Sequence, residues 1–320
     1  MSILLSEVQK QAPDALTVGV IDEFRKNNFL LDRIPFADVV TPVGGGATMT
    51  YGYMRLVTQP TAAFRAINSE FTPQNTEKQK YSVDLKVFGG SFEIDRVLAN
   101  MGGAVDEVTL QSQQKIKAAQ ALFNDAAING DSAVDANAFD GLDKALTGST
   151  TELIPSAAID LSTSANIETN WKAFLDVLDE FLMGLDGTPT AIMGNTKLIA
   201  RLRAVARRAS MYNTTKDDWG NQVESYGVIP LVDLGNKPGT NNPIVGIGTG
   251  DNVGLTSLYA ARLGLDGFHA VSMAGQSPIK AWMPDFATAG AVKKGEVEMV
   301  AAVALKATKA AAVLRKIKVA

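Results

Sequence analysis

The chain is expected to fold as an α+β protein, and three stretches carry that expectation. Tyr81, Val83, Leu85 and Val87 alternate with Ser82, Asp84, Lys86 and Phe88, which is the period of an extended strand. Between Asp106 and Asn129, the residues Val108, Ser112, Ile116, Ala119, Phe123 and Ala126 recur at intervals of three and four, which places them on one face of a long helix. From Trp171 a second helical stripe of Trp171, Phe174, Leu175, Leu178, Phe181, Leu182 and Leu185 leads into a short apolar run and a further helix. Strand-rich segments thus stand on either side of a helix–strand–helix block that reads as a compact α/β unit.

In chain order, the first forty residues carry apolar patches at Ile3–Leu5 and Val18–Ile21 and then NNFLLDRIPFADVV, with no periodic face long enough to found a domain. An irregular apolar segment of this kind reads either as an arm seeking a surface elsewhere or as an ordinary segment on its own core. Gly44–Gly46 then open a strand in which Met49, Tyr51 and Tyr53 share a side. With the strand at Tyr81–Val87 it flanks a polar, turn-rich stretch, so the two should form a long antiparallel ribbon. A two-stranded ribbon is marginal in water unless something covers a face. Gly89-Gly90 should bend it where it rejoins the body, after which Phe92 and Ile94 alternate with Glu93 and Asp95.

The helix from Asp106 should run about 36 Å at 1.5 Å per residue, and Gly130 should stop it. After a Ser/Thr-rich strip to Thr169 the second block begins at Trp171. Thr190–Met193 reads as a strand, and Asn195 or Thr196 is placed to cap the helix TKLIARLRAVARRAS. GVIPLVD, NPIVGIG and LTSLYAARL are short apolar runs bounded by Gly, Pro or Asn. Val297, Met299, Ala301, Val303 and Leu305 return to alternation, and Ile317 and Val319 oppose Lys316 and Lys318.

Composition narrows the function. A length of 320 residues with 46% hydrophobic and 20% charged residues suffices for a large core or two domains. A net charge of −4 disfavours a protein whose main task is to neutralise nucleic-acid phosphates. The absence of cysteine excludes disulfides, thiolate nucleophiles and Cys-ligated metals, and it suits a reducing cytoplasm. The N-terminal apolar run is too short for a signal-peptide core, and no stretch supplies about 18 apolar residues for a membrane span, so a soluble chain is expected.

Six segments then stand in a fixed order: FEIDR at 92–96, FNDAAINGD at 123–131, FDGL at 139–142, AIMGNTKLIARL at 191–202, ESYGVIPLVDLG at 224–235 and AAAVLRKIKV at 310–319. In that order and spacing the whole chain resembles the major capsid proteins of tailed bacteriophages, the Hong Kong 97-like family. The resemblance implies an N-terminal arm at 1–43, an extended β-hairpin loop at 44–93, a peripheral domain with a long spine helix at 94–170, an axial α/β domain at 171–272, and return strands of the peripheral domain at 273–320. It implies a virion protein, made in the bacterial cytoplasm, whose copies form hexamers and pentamers of an icosahedral head around double-stranded DNA. Some members start with a scaffolding segment that is later cleaved. This chain starts at the arm, so a separate scaffolding protein is the expected partner, together with a portal protein; a decoration protein is left open.

Few residues invite a chemical role. The resemblance places Lys78 and Lys80 where some members cross-link, though lysines at a polar tip are ordinarily just solvated. Glu93 and Asp95 share one strand face beside Arg96, and a salt bridge there, within or between subunits, is expected to set the angle of the extended loop. Arg201 and Arg208 share a helix face and are weak candidates for a lumenal DNA contact; solvation or pairing with acidic neighbours accounts for them equally well. The single histidine, His269, lies among apolar neighbours and is expected to be packed rather than catalytic. Asp217-Asp218 and the pair Asp176/Glu180 read as solvated surface, and GIGTG at 246–250 lacks the spacing of a phosphate loop. No catalytic, cofactor or metal residues are assigned. Two alternatives stay open: an encapsulin-type compartment enclosing an enzyme, and an α/β enzyme or small-ligand binder built on 171–272.

Overall fold

The computed structural model describes residues 29–40, 48–101, 106–209, 213–216 and 222–320. In chain order the elements are α1 (Phe29–Arg33), β1 (Phe36–Val40), β2 (Thr50–Leu56), β3 (Lys78–Asp84), β4 (Lys86–Asp95), α2 (Arg96–Ala99) and α3 (Glu107–Asn129). Then come α4 (Leu142–Leu146), β5 (Glu152–Leu153), β6 (Ile159–Asp160), α5 (Ser164–Met183), β7 (Ala191–Gly194), α6 (Thr196–Arg208), β8 (Asn213–Lys216), β9 (Gln222–Tyr226) and β10 (Ile229–Asp233). The last five are β11 (Leu255–Ala261), β12 (Phe268–Met273), β13 (Ile279–Trp282), β14 (Val292–Leu305) and β15 (Ala311–Lys318).

Among the described residues these strands form three sheets. The first is organised on β14. One edge pairs antiparallel with β4, from Val292 opposite Asp95 to Ala301 opposite Lys86. The other edge takes β13 and then β12, and β1 adds parallel to β12. The second sheet, in the order β5-β15-β11-β7-β10-β9-β8 with β6 also on β15, carries α5 and α6. The third is the ribbon, β2 against β3.

The long helix α3 begins at Asp106, whose side chain accepts from the Thr109 N–H at 3.0 Å. It packs along β4 and β14, and Phe123 enters an aromatic cluster with Phe36, Phe88 and Phe139 at centroid separations of 5.9 to 6.4 Å. Each such ring buried from water contributes on the order of 2–3 kcal/mol, which makes this cluster the anchor of the first layer. Asn195 caps α6 by accepting from Leu198 N–H at 2.8 Å, and its amide reaches Thr256 Oγ1 at 2.7 Å and the Val245 carbonyl at 3.1 Å. One buried side chain therefore ties α6 to strand β11 and to the loop that precedes it.

Several expected boundaries shift. Residues 29–40 belong to the body, since Leu30, Ile34 and Val40 are buried and β1 is a sheet strand. The rest of the expected arm lies outside the described residues. Helix α5 starts at Ser164, because Thr163 caps it and Ile167 is buried, so the end of the Ser/Thr-rich strip, 164–169, is already helix. The division at 272/273 does not separate the sheets: β12 lies in the first sheet, and the final strand β15 lies in the second. Hydrogen-bond pairing decides membership of a sheet, and it ignores order along the chain.

The expected alternation through Val87 also breaks. Tyr81, Val83 and Leu85 face inward, but Val87 is 52% exposed and the inward residues become Phe88, Phe92 and Ile94. A one-residue slip reverses every side chain that follows. It occurs at Leu85, whose N–H donates to the Met49 carbonyl at 2.7 Å, and there the chain leaves the ribbon for the sheet. Gly89 therefore does not mark the bend. It lies inside β4, and a Cβ there would come 2.0 Å from the Val297 carbonyl oxygen. Gly130 ends α3 without left-handed geometry; its φ is −57°, and it is required because a Cβ would meet the Phe139 carbonyl at 2.2 Å.

Candidate subunit interface

The ribbon is the part of the chain whose sequence asks for a partner. Its register runs from Thr50 opposite Asp84 to Leu56 opposite Lys78. Beyond Leu56 the segment 57–77 has no strand or helix, and every residue in it is exposed. Phe64 is 109% exposed, Ile67 91% and Phe71 59%, and Met54 and Leu56 project from the outer face of β2. Single exposed apolar residues are ordinary, but a cluster on one projection marks an interaction surface.

The base of the ribbon is anchored. Tyr51, Tyr53, Tyr81 and Val83 face inward, with Tyr51, Tyr53 and Val83 packing on Val40, Leu85, Val271, Val300 and Ala304. Arg55 lies over the Tyr81 ring at 4.4 Å, its Nε donates to the Lys306 carbonyl at 2.8 Å, and another guanidinium N–H donates to the Leu305 carbonyl. The Tyr53 hydroxyl donates to the same Leu305 carbonyl at 3.0 Å. A guanidinium presents several donors in a fixed plane, so one side chain holds two successive carbonyls of the turn after β14 and stacks on the ribbon's aromatics as well. Burial raises the Tyr53 hydroxyl's pKa, with Arg55 acting in the opposite sense, so the phenol keeps its proton and remains a donor.

The residues singled out from sequence fall around this joint as follows. Lys78 and Lys80 are exposed on β3, opposite Leu56 and Met54, and the Lys80 stem lies across Gly52. Glu93 is paired in register with Lys294 of β14, and Lys294 also bridges to Glu296. Within the subunit, the cation set opposite Glu93 is therefore a lysine from a distant strand, and the two interact through their charges. Asp95 turns away to cap α2 by accepting from the Val97 N–H at 2.7 Å. Arg96 is exposed in the first turn of α2, and its backbone N–H donates to Ala291 at 2.8 Å. The structure brings no Glu93–Arg96 or Asp95–Arg96 ion pair together within the subunit.

No protein-family model and no curated protein matches the chain. Solved structures do. The holo-SrpI encapsulin complex from Synechococcus elongatus matches with TM-score 0.63 at 14% identity, over 99% of this chain and 97% of that one. The capsid of a native GTA particle matches with TM-score 0.63 at 11% identity, over 96% of both chains. The capsid of the Myoviridae phage XM1 matches with TM-score 0.61 at 10% identity, over 98% of this chain and 99% of that one. This chain has the Hong Kong 97-like fold.

Within this Hong Kong 97-like fold, Arg201 and Arg208 are engaged inside the subunit. Arg201 donates to the Ser162 carbonyl, and Arg208 pairs with Glu168 at 2.8 Å and with Ser164 Oγ at 2.9 Å, so both join α6 to the start of α5. Arg203 pairs with Glu224, while Arg207 is exposed. Asp176 and Glu180 are exposed on α5, Asp217-Asp218 lies outside the described residues, and GIGTG forms the turn that leads into β11. Among the described residues no group of three His, Asp or Glu side chains could hold a metal, and no helix is long and apolar enough to cross a membrane. Sequence reasoning missed Arg55. Its position two residues beyond Tyr53 on the same strand face was a usable signal, but its partners, two backbone carbonyls about 250 residues away, leave no mark in composition or periodicity.

Proposed function

We propose that this chain is a shell-forming major capsid protein, whose copies assemble as hexamers and pentamers of an icosahedral phage-type head around double-stranded DNA. The observation that carries the reading is a ribbon clamped at its base whose tip bears Phe64 and Ile67 uncovered by their own chain, beside the exposed Phe71. Burying each against a neighbouring copy would contribute on the order of 2 kcal/mol before ordering costs, and repetition around a closed shell multiplies that gain. The phage and GTA capsids of the same fold support it. A separate scaffolding protein and a portal protein are its proposed partners, and contact with DNA is weak and non-specific.

A second reading, an encapsulin-type compartment around an enzyme cargo, is favoured by the equally good match to the SrpI complex. Electron microscopy and sedimentation of particles from expressing cells decide between them. Closed particles holding DNA, or empty shells that take up DNA with phage packaging proteins, support the head. Particles that co-purify with one stoichiometric folded enzyme support the compartment. A monomer or dimer under all conditions, with and without scaffolding protein, overturns both.

A further inference from the structure

Beneath the ribbon lies an ionisable group to which neither the fold nor the assembly reading gives a task. His269, the chain's single histidine, is 0% exposed on β12, and neither ring nitrogen has a hydrogen-bond partner of acceptable geometry. Buried polar atoms are almost always paired, so this one is held at a cost. Its ring meets the Tyr51 ring edge-on at 5.6 Å, where the ribbon rests on the first sheet.

We propose that His269 makes the ribbon joint proton-sensitive: the neutral ring lets Tyr51 seat, and protonation releases the ribbon from the sheet.

The surroundings oppose a charged ring in the seated state. Burial lowers the pKa of His269 first, and the Lys306 ammonium adds to this from the turn after β14, lying 5.6 Å from the Tyr51 centroid. The Gly267 carbonyl and Asp266 act in the other direction without reversing the shift. On the ribbon side stand Tyr51, Tyr53, Tyr81 and Arg55, whose guanidinium is a second fixed cation. On β1, Asp38 is turned to the Gly275 N–H at 2.9 Å, and β14 presents Ala304 opposite His269. An imidazolium would thus be buried against the Tyr51 ring with the Lys306 ammonium acting on it.

The sign follows from linkage. Above the ordinary histidine value of about 6.5 the ring is neutral whether the ribbon is seated or open, and pH has no effect. Below it the open, solvated ring takes up a proton that the seated ring refuses, so opening grows more favourable until the seated ring also titrates. Between pH 7.5 and 5.5 the open population should rise, with about tenfold as the ceiling set by a ring that takes up no proton while seated.

This inference rests on the shell reading only for its consequence, a pH-dependent assembly. The joint itself belongs to one chain and is tested on unassembled subunits. Hydrogen exchange is read as protection factors for 50–56 and 78–84 against β11 and β15 as the internal reference. A loss of ribbon protection of up to about tenfold from pH 7.5 to 5.5 in the parent chain, abolished in His269→Phe, is the expected result. The same loss in His269→Phe, or no loss in the parent chain, overturns the proposal. If that variant does not fold, the single histidine's ring resonances are titrated in the parent chain. Titration at the ordinary value with unchanged ribbon protection overturns the proposal, and delayed titration in step with ribbon exchange supports it.

Discussion

The Tyr53 hydroxyl donates to the Leu305 carbonyl at 3.0 Å across 252 residues of chain, and the Arg55 guanidinium shares that carbonyl. This pair fixes where the ribbon leaves the body. Arg55→Ala removes charged hydrogen bonds and a stacked cation, a loss of about 2 kcal/mol confined to the joint. The expected outcome is faster proteolysis within 57–77 with little change in the global unfolding midpoint. Arg55→Lys should recover only part of it, because an ammonium cannot span both carbonyls. Unchanged cleavage in Arg55→Ala would show that the clamp does not govern the ribbon.

The tip should act only between molecules. Replacing Phe64 and Ile67 together with Ser should leave subunit stability within about 0.5 kcal/mol, because neither is buried in its own chain. Particle yield should fall sharply, as apolar anchors in interfaces commonly contribute 2 kcal/mol or more. Sedimentation measures the yield and urea unfolding the stability. Normal particles from the double variant would exclude the tip as an assembly element.

A half-buried charge cluster should hold the second sheet to the segment after α3. Arg315 of β15 pairs with Asp143 at 2.9 Å and with Glu152, and the Tyr259 hydroxyl donates to Asp143 at 2.7 Å. Arg315→Met leaves the poorly solvated Glu152 carboxylate and the partly exposed Asp143 without their cation and should cost about 2 kcal/mol, while Tyr259→Phe should cost about 1 kcal/mol. Burial opposes the Glu152 charge, but the Gly148 N–H and Arg315 outweigh it and hold its pKa below the usual value. That part of the stability is present above about pH 4.3 and is lost as pH falls through the depressed folded value, so the acid limb of the unfolding profile should flatten in Glu152→Gln.

At the joint between ribbon and spine, Asp95→Ala should cost about 1 kcal/mol through the lost cap of α2, and Arg96→Ala should be near neutral in the isolated subunit. If instead Arg96→Ala lowers the melting temperature of assembled particles but not of subunits, the arginine meets its carboxylate across a subunit boundary. Equal effects in both states would point to a contact inside the chain.

Local chemistry was legible where the physics is local. The α3 stripe, the Asn195 cap and the pairing of β2 with β3 follow from periodicity, a short oxygen-bearing side chain and a polar turn region, all read within a few residues. The Leu85 slip was not legible, because Val87 and Phe88 are both apolar and either phase satisfies the pattern; the sheet takes Phe88 because Phe123 and Phe139 are already there. The neighbour that cross-strand register sets opposite Glu93 within the subunit is Lys294, about 200 residues away, which no local pattern around Glu93, Asp95 and Arg96 records.

By itself, then, the sequence determined the α+β class, the long helix, the projecting ribbon and the absence of cysteine chemistry, because these depend on composition and on periods of two and three to four residues. The tertiary structure alone decided which sheet each late strand joins, that β15 closes the second layer, and that Arg55 and His269 meet the ribbon joint from opposite ends of the chain. Those outcomes rest on backbone pairing and burial between residues hundreds of positions apart. A single strand of text does not record such contacts, because each partner alone looks like an ordinary strand residue.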